Sequence, residues 1–138
     1  MVSSQIKGII KAALAEDIGP GDMTTQATVP PRRTGRALAV AKGDFVVAGL
    51  DVFAAVFQTL DKKIRVTKRT ADGSRVRKGT VIAEVEGPLS AILQAERTAL
   101  NLFQRMSGIA TQTARYAAAV RKTKAEILDT RKTVPGLR

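Results

Sequence analysis

The sequence predicts an α+β fold, and three observations lead to that prediction. Apolar residues near the N-terminus recur at helical spacing. Between residues 36 and 86 the apolar runs are short and separated by glycine-containing turns, which is typical of strands. After Pro88 the helical period returns and continues toward the C-terminus. Because strands and helices are partly segregated along the chain, an α+β order is favoured over a regular α/β alternation.

The first predicted helix has both a start and a stop signal. Ser3 or Ser4 can cap its N-terminus. The helix is expected to end near Asp17, because Gly19-Pro20-Gly21 follows. A polar loop is predicted next, over residues 22–25. The apolar face of the helix consists of Ile6, Ile9, Ile10, Ala13 and Leu14.

The middle of the chain predicts a set of short strands around one helix. The helix is expected from about Leu50 to Leu60, where apolar residues again follow the helical period. Asp72-Gly73 and Lys78-Gly79 are turn signals. The predicted strands are Arg36 to Lys42, Phe45 to Val47, Ile64 to Arg69 and Val81 to Glu86.

The last fifty residues predict two long helices and one strand. The first helix follows Pro88 and continues to about residue 106, where Ser107-Gly108 is expected to interrupt it. The second runs over about residues 109–122, and a strand follows over about residues 124–129. That strand would deliver cationic side chains into the loop behind it.

Composition limits the chemistry available to the chain. The 138 residues suit one ordinary domain, and they contain no cysteine and no histidine. A disulfide framework, a thiol nucleophile, a thiolate metal site and a Ser-His triad are therefore excluded. Reactions would rest on Arg, Lys, Asp, Glu, Thr or a hard metal ion such as Mg²⁺. No segment has the length of a membrane span or the pattern of a secretion signal, so cytoplasmic residence is expected.

The charge balance favours anionic partners. There are 23 Lys and Arg residues against 12 Asp and Glu, which gives a net charge of +11. Nucleic acid, an anionic membrane and a small polyanionic substrate all remain candidates on charge alone. Only five aromatic residues, four Phe and one Tyr, are available to stack on bases, which disfavours a single-stranded nucleic acid ligand.

Two regions hold candidate functional residues. On a helical wheel Glu96 falls within the apolar face of the helix after Pro88, so a buried and paired carboxylate is expected there. Arg97 falls at the edge of that face and could either reach a ligand anion or pair with an acidic neighbour. In the C-terminal segment, Thr130, Arg131 and Lys132 offer a hydroxyl, a planar fork and a compact charge to an anion.

Six segments, taken together and in order, resemble one family, the quinolinate phosphoribosyltransferases. Any one of them alone would be a weak match. The segments are Glu16 to Gly19; Gly21-Asp22 with Thr24-Thr25; Glu86-Gly87-Pro88; Glu96 to Asn101; Ser107 to Thr111; and Asp129 to Arg138.

The resemblance implies a fold and an activity. Residues 1–108 are expected to form an N-terminal α/β sandwich domain, and residues 109–138 a linker helix and the first strand of an incomplete α/β barrel. The implied reaction transfers a phosphoribosyl group from phosphoribosyl pyrophosphate to quinolinate with Mg²⁺, giving nicotinate mononucleotide, pyrophosphate and CO₂. An incomplete form is expected to be inactive alone.

The resemblance also implies site residues and a homodimer or higher homo-oligomer whose subunits share each site. Arg97 would bind quinolinate across the subunit interface. Thr130, Arg131 and Lys132 would contact the quinolinate carboxylates, and Lys132 would also stabilise the transition state. No metal ligand is assigned within this chain, and no nucleic acid or membrane partner is expected.

Other functions remain open from the residues. The motifs specify the scaffold better than the substrate, so a paralogue with another substrate is one alternative. Residues 72–87 also resemble the hammerhead of biotinyl and lipoyl carrier domains, although Asp61-Lys62, the only dipeptide of the modifiable type, follows a predicted helix. A basic nucleic-acid-binding protein is the third alternative, with salt-sensitive binding to arbitrary DNA as its test.

Overall fold

The computed structural model describes residues 2–137 as helices packed on one face of a small antiparallel sheet. The predicted α+β class is confirmed. Along the chain the elements are α1 (Ser4–Ile18), α2 (Met23–Thr28), β1 (Thr34–Val40), β2 (Phe45–Val46), α3 (Leu50–Leu60), β3 (Arg65–Lys68), β4 (Arg75–Val76), β5 (Val81–Pro88) and α4 (Leu89–Val120).

Strand β5 is the centre of the main sheet. It pairs antiparallel with β1 on one side and with β3 on the other, in the order β1-β5-β3. In this register Glu84 lies opposite Leu38 on β1 and opposite Thr67 on β3. A second, two-stranded antiparallel sheet consists of β2 and β4. The core lies where α1, α3 and α4 pack on one another and on the main sheet.

Helix α3 begins at a turn that only glycine can easily adopt. Gly49 has a φ of 94°, and a Cβ on it would lie 2.1 Å from the Cε of Met106 on α4. The carboxylate of Asp72 caps this helix from a distant turn, since it accepts hydrogen bonds from the Gly49 amide at 2.9 Å and the Leu50 amide at 3.0 Å. The predicted bounds of α3 are confirmed.

Two hydroxyls of α4 hold the backbone that leads into α3. The Ser107 hydroxyl is buried; it accepts a hydrogen bond from the Ala48 amide at 3.1 Å and donates to the Ala48 carbonyl at 3.2 Å. One turn later, the Thr111 hydroxyl accepts from the Val46 amide at 2.9 Å. These bonds pair backbone groups that the short strand β2 leaves unpaired.

The predicted break at Ser107-Gly108 is wrong. Helix α4 is continuous through both residues, from Leu89 to Val120. Ser107 does not end the helix because its hydroxyl bonds to the Ala48 backbone and not to that of α4 near it. Gly108 lowers the stability of the helix, but one glycine is not enough to end it.

Three other differences concern short elements. Residues 22–25, predicted as a loop, contribute to the six-residue helix α2, and β4 was not predicted as a strand. The predicted strand at residues 124–129 is wrong, since no strand is present between residues 121 and 137. A strand is stabilised by hydrogen bonds to a neighbouring strand, and no described strand lies beside this segment.

Candidate active site

A cleft of about 560 Å³ opens between the end of α1, the start of α2 and the exposed side of α4. It is the place where the candidate residue Arg97 meets residues from the other two helices. Leu93 and Leu100, two turns apart on α4, form its apolar part. The charged residues that line it are Asp17, Asp22, Glu96 and Arg97.

Arg97 forms an ion pair and still faces solvent. Its Nη1 donates to Oδ1 of Asp17 at 2.9 Å, and the Arg97 side chain is 74% exposed whereas Asp17 is 21% exposed. The hydrogen bond to Asp17 raises the pKa of Arg97, so the guanidinium stays charged. A guanidinium has five N–H donors and this bond uses one. The pairing with an acidic neighbour is therefore present, and donors remain for a ligand anion.

Asp22 lies at the mouth of the same cleft as the N-cap of α2. Its carboxylate accepts hydrogen bonds from the Thr25 hydroxyl and from the Thr25 amide, the latter at 3.0 Å. These bonds, led by the Thr25 hydroxyl, lower the pKa of Asp22. Asp22 is therefore ionised at neutral pH, and it adds negative charge close to Arg97.

The cleft carries more negative than positive charge. Asp17, Asp22 and Glu96 line it, and Arg97 is the only cation that lines it among residues 2–137. A dicarboxylate inside it would be repelled by three carboxylates and attracted by one guanidinium. Arg97 can therefore serve an anion best from its exposed side, where further cations supplied by another element could join it.

The prediction of a buried Glu96 is wrong, because Glu96 is exposed. Helix α4 turns toward the core the side that carries Ala91, Ala95 and Ala99, whose small side chains allow close packing. The helical wheel placed Leu93 and Leu100 on the apolar face expected to be buried, but both line the cleft instead. Glu96 lies on their side of the helix.

Thr130, Arg131 and Lys132 lie in the exposed segment after α4. The Thr130 hydroxyl accepts a hydrogen bond from the Lys132 amide at 3.2 Å, and the Arg131 carbonyl accepts one from the Thr133 amide at 2.9 Å. None of the three lines the cleft that holds Arg97. The three candidates are neighbours along the chain, and the structure does not bring them into the cleft with Arg97.

The structure contains a buried carboxylate, that of Glu84, which was not predicted from the sequence. Glu84 is 5% exposed on the central strand β5, where it pairs with Arg36 on β1 and with Arg69, at 2.8 Å from the Arg69 Nη2. The hydrogen bonds from Arg36 and Arg69 hold the pKa of Glu84 at about 2. Glu84 does not line the cleft, and we interpret it as a structural ion pair.

Asp17 and Asp22 are the cleft residues that the sequence analysis did not select as site residues. Each occurs in a segment of the family resemblance, but only as part of a helix stop and a loop. The usable signal is Asp22 itself, since Asp is a preferred N-cap residue whose carboxylate accepts a hydrogen bond from the backbone amide three residues later, here that of Thr25. Nothing in the sequence places Asp17 beside Arg97, which is eighty residues away along the chain.

Comparison with known proteins decides the family. The family model described as quinolinate phosphoribosyl transferase, N-terminal domain, matches residues 22–107. The chain belongs to this family. The model of the family's C-terminal domain matches residues 109–138, so the second match begins inside α4. The resemblance found in the sequence is confirmed.

Relatives from plants and bacteria match nearly the whole chain. Quinolinate phosphoribosyltransferase [decarboxylating] 1 of Nicotiana glauca is 43% identical over 134 residues, which is 96% of this chain and 38% of that protein. The probable nicotinate-nucleotide pyrophosphorylase [carboxylating] of Bacillus subtilis is 40% identical, over 97% of this chain and 46% of that protein. The chain therefore spans less than half the length of these relatives.

Solved structures agree with the fold. The nicotinate-nucleotide pyrophosphorylase of Francisella tularensis superposes with a TM-score of 0.91 and 34% identity, over 99% of this chain and 48% of that one. NadC of Streptococcus pyogenes gives a TM-score of 0.92 and 36% identity, over 98% of this chain and 49% of that one.

Two kinds of feature are absent from residues 2–137. No described helix is both long and apolar enough to cross a bilayer. Among the same residues, no three Asp or Glu side chains lie where they could hold a metal ion together.

Proposed function

We propose that the chain supplies the N-terminal part of an enzyme that transfers a phosphoribosyl group from phosphoribosyl pyrophosphate to quinolinate. The products would be nicotinate mononucleotide, pyrophosphate and CO₂, a step of NAD biosynthesis. The observation that carries the proposal is the geometry of Arg97 in a chain of this family: a guanidinium on a rigid helix, steadied by Asp17 and 74% exposed. Quinolinate has two carboxylates, and a planar guanidinium matches a carboxylate in bidentate fashion.

The site would be completed by a second copy of the chain. Arg97 lines an acidic cleft, whereas Thr130, Arg131 and Lys132 lie in an exposed segment outside that cleft. In a homodimer or a higher homo-oligomer, Arg97 of one protomer would face Thr130, Arg131 and Lys132 of its partner. Two guanidiniums and an ammonium would then surround the dicarboxylate, and the negative charge of the cleft would lie behind Arg97.

The proposed reaction depends on positioning and charge. A bond forms between the quinolinate ring nitrogen and the anomeric carbon of the ribose, while the bond from that carbon to pyrophosphate breaks. The bond from the ring carbon next to that nitrogen to its carboxylate then breaks to release CO₂, and a proton takes the place of the carboxylate. The transition state has cationic, oxocarbenium-like character, so no covalent nucleophile is required. Arg97, Thr130 and Arg131 would orient quinolinate, and Lys132 would act as the catalytic residue that stabilises the negative charge developing on the departing pyrophosphate.

The family resemblance implies that the reaction uses Mg²⁺. No three carboxylates of residues 2–137 are placed to hold a metal ion. In the proposed enzyme its ligands would belong to the rest of the barrel domain, and no step of the reaction is assigned to it here.

The proposal includes a domain division and a location. Residues 1–108 would form the sandwich domain, and residues 109–138 the linker helix and the start of the barrel. The division is supported by the burial along α4, whose buried residues all lie between Ala91 and Ser107. Residence in the cytoplasm, which was expected from the sequence, is also part of the proposal.

The test is CO₂ release from carboxyl-labelled quinolinate with phosphoribosyl pyrophosphate and Mg²⁺. We expect none from the 138-residue chain alone, and activity when the chain is joined to the barrel domain of the Bacillus subtilis relative. In that active form Arg97→Ala and Lys132→Ala should each lower kcat/KM by about a hundredfold or more. Arg105→Ala is the matched control, because Arg105 is an exposed arginine of α4 outside the cleft.

Two outcomes would contradict different parts of the proposal. A folded joined enzyme that releases no CO₂ would remove the activity. An active joined enzyme that tolerates both Arg97→Ala and Lys132→Ala would leave the activity and remove the assigned site.

A further inference from the structure

A second cleft lies at the other end of α4 and has the opposite charge. It measures about 460 Å³ and opens between the small sheet of β2 and β4 and the exposed part of α4. We refer to it as the basic cleft, and the residues that matter for it are Asp44, Phe45, Arg75, Arg77, Thr111 and Arg115.

The three arginines of the basic cleft have no carboxylate partner within the described part of the chain. Arg75, Arg77 and Arg115 are exposed, and none forms an ion pair with an acidic residue among residues 2–137. Arg36 and Arg97 are exposed as well, but Arg36 pairs with Glu84 and Arg97 pairs with Asp17. The positive charge of the basic cleft is therefore left for a partner outside the described chain.

In the part of the chain that the structure describes, Asp44 is the only acidic residue that lines the basic cleft. Its Oδ1 accepts a hydrogen bond from the Lys78 amide at 2.9 Å. Three guanidiniums thus face one carboxylate. Like charges held around one cavity repel one another, and a bound anion of two or more charges removes that repulsion.

The walls of the basic cleft are fixed to each other. Thr111 on α4 accepts a hydrogen bond from the Val46 amide of β2 at 2.9 Å and donates to the Ser107 carbonyl at 2.6 Å. Within the small sheet, Val46 pairs with Arg75. Arg75 and Arg115 therefore project from elements that are bonded together through Val46 and Thr111. A site whose backbone is already ordered loses less entropy when a ligand binds.

We propose that the basic cleft binds a phosphate-bearing anion, and a diphosphate group has the size and charge that fit it. Guanidinium groups match phosphate oxygens with two parallel hydrogen bonds each, which ammonium groups cannot do. The site is separate from the candidate active site: Arg97 and Arg115 are eighteen residues apart on one helix, roughly 27 Å along its axis. The inference goes beyond the proposed function and stands without it.

Inorganic pyrophosphate is the probe, added to the isotope-labelled 138-residue chain while amide signals are followed by NMR. We expect shifts that saturate at the Val46, Val76 and Thr111 amides. The variant Arg75→Gln/Arg77→Gln/Arg115→Gln should bind pyrophosphate at least about tenfold more weakly by calorimetry. The control variant Lys7→Gln/Lys62→Gln/Lys122→Gln loses the same charge at exposed sites elsewhere and should keep wild-type affinity. If the triple arginine variant is misfolded by its amide spectrum, Arg115→Gln alone takes its place.

Three results would overturn the inference. The first is pyrophosphate shifts confined to residues outside the basic cleft. The second is an equal loss of affinity in both triple variants, which would indicate a general charge effect. The third is a glutamate-rich peptide or single-stranded DNA that binds the cleft more tightly than pyrophosphate, which would indicate a macromolecular partner. Binding that weakens with added salt is expected, since the arginines are exposed.

Discussion

The two parts of helix α4 differ in what holds them. All the buried residues of α4 lie between Ala91 and Ser107. After Ser107 the helix continues to Val120 although large side chains such as Ile109 and Tyr116 are exposed. The first part is fixed by packing. The second is attached to β2 by the hydrogen bond between Thr111 and Val46 and otherwise depends on its own hydrogen bonds and an alanine-rich sequence. A helix can continue with few tertiary contacts, whereas the strand predicted after it cannot form without a partner.

The largest expected difference in the free energy of unfolding is between substitutions of Phe103 and Tyr116, the two aromatic residues of α4. Phe103 packs edge to face on Phe45 and Phe53, with ring centroids 6.2 and 5.7 Å apart. Phe103→Ala should lower the free energy of unfolding by about 3–5 kcal/mol, because it leaves a cavity in the core. Tyr116→Ala, on the exposed part, should change it by less than about 0.5 kcal/mol. Urea unfolding measures both, and similar losses would show that the two parts of α4 are packed alike.

The next effect concerns the last buried residue of α4. Ser107→Ala removes the partner of both the Ala48 amide and the Ala48 carbonyl. Buried groups left unpaired cost about 1–3 kcal/mol, so the variant should unfold at correspondingly lower denaturant concentration. Thr113→Ala is the control, because Thr113 is exposed on the same helix. A Ser107 variant as stable as this control would mean that water replaces the hydroxyl.

A third substitution should stabilise the protein at the position where the helix was predicted to break. Gly108 is exposed within α4, and a Cβ there would contact nothing within 4 Å. Gly108→Ala should therefore raise the free energy of unfolding by about 0.5–1 kcal/mol. Gly49→Ala serves as the contrast and should destabilise, since Gly49 has a φ of 94° and lies against Met106. A loss of stability for Gly108→Ala would indicate that the helix is bent or covered there.

The smallest effect is expected in the segment after α4. Leu128 is 77% exposed, and Ile127 beside it is exposed as well. The double substitution to alanine should change the free energy of unfolding by no more than about 0.5 kcal/mol at low protein concentration. A larger loss in the monomer would show that the segment packs on the body of the chain.

The elements that could be predicted from the sequence are those whose signals are local. Helix α1 has its cap at Ser3, whose side chain accepts from the Ile6 amide at 3.3 Å, and its stop at Gly19. Helix α3 combines a regular apolar period with a glycine at its start. Helix α2 was missed because its six residues are mostly polar and its only signal is the Asp22 cap.

Two glutamates show what the sequence could not decide. The burial of Glu84 depends on β5 being the central strand, which is a property of strand order and not of the residues around Glu84. The exposure of Glu96 depends on α4 packing through alanines, whereas its larger leucines line a cleft. In the candidate site, the pairing of Arg97 with an acidic neighbour was one of two possibilities that the sequence left open. Its partner Asp17 required the fold.

The ion pairs of Glu84 make the stability of the main sheet depend on pH. Arg36 and Arg69 hold the pKa of Glu84 at about 2 in the folded chain, against an ordinary value of 4.5. Between these two pH values the unfolded chain binds more protons than the folded one, so acid favours unfolding. The stabilisation is complete above pH 4.5 and is lost as the pH falls toward 2. Acid should therefore release the bonds that join β1 and Arg69 to the central strand, while the aromatic contacts of Phe103 have no charge to lose.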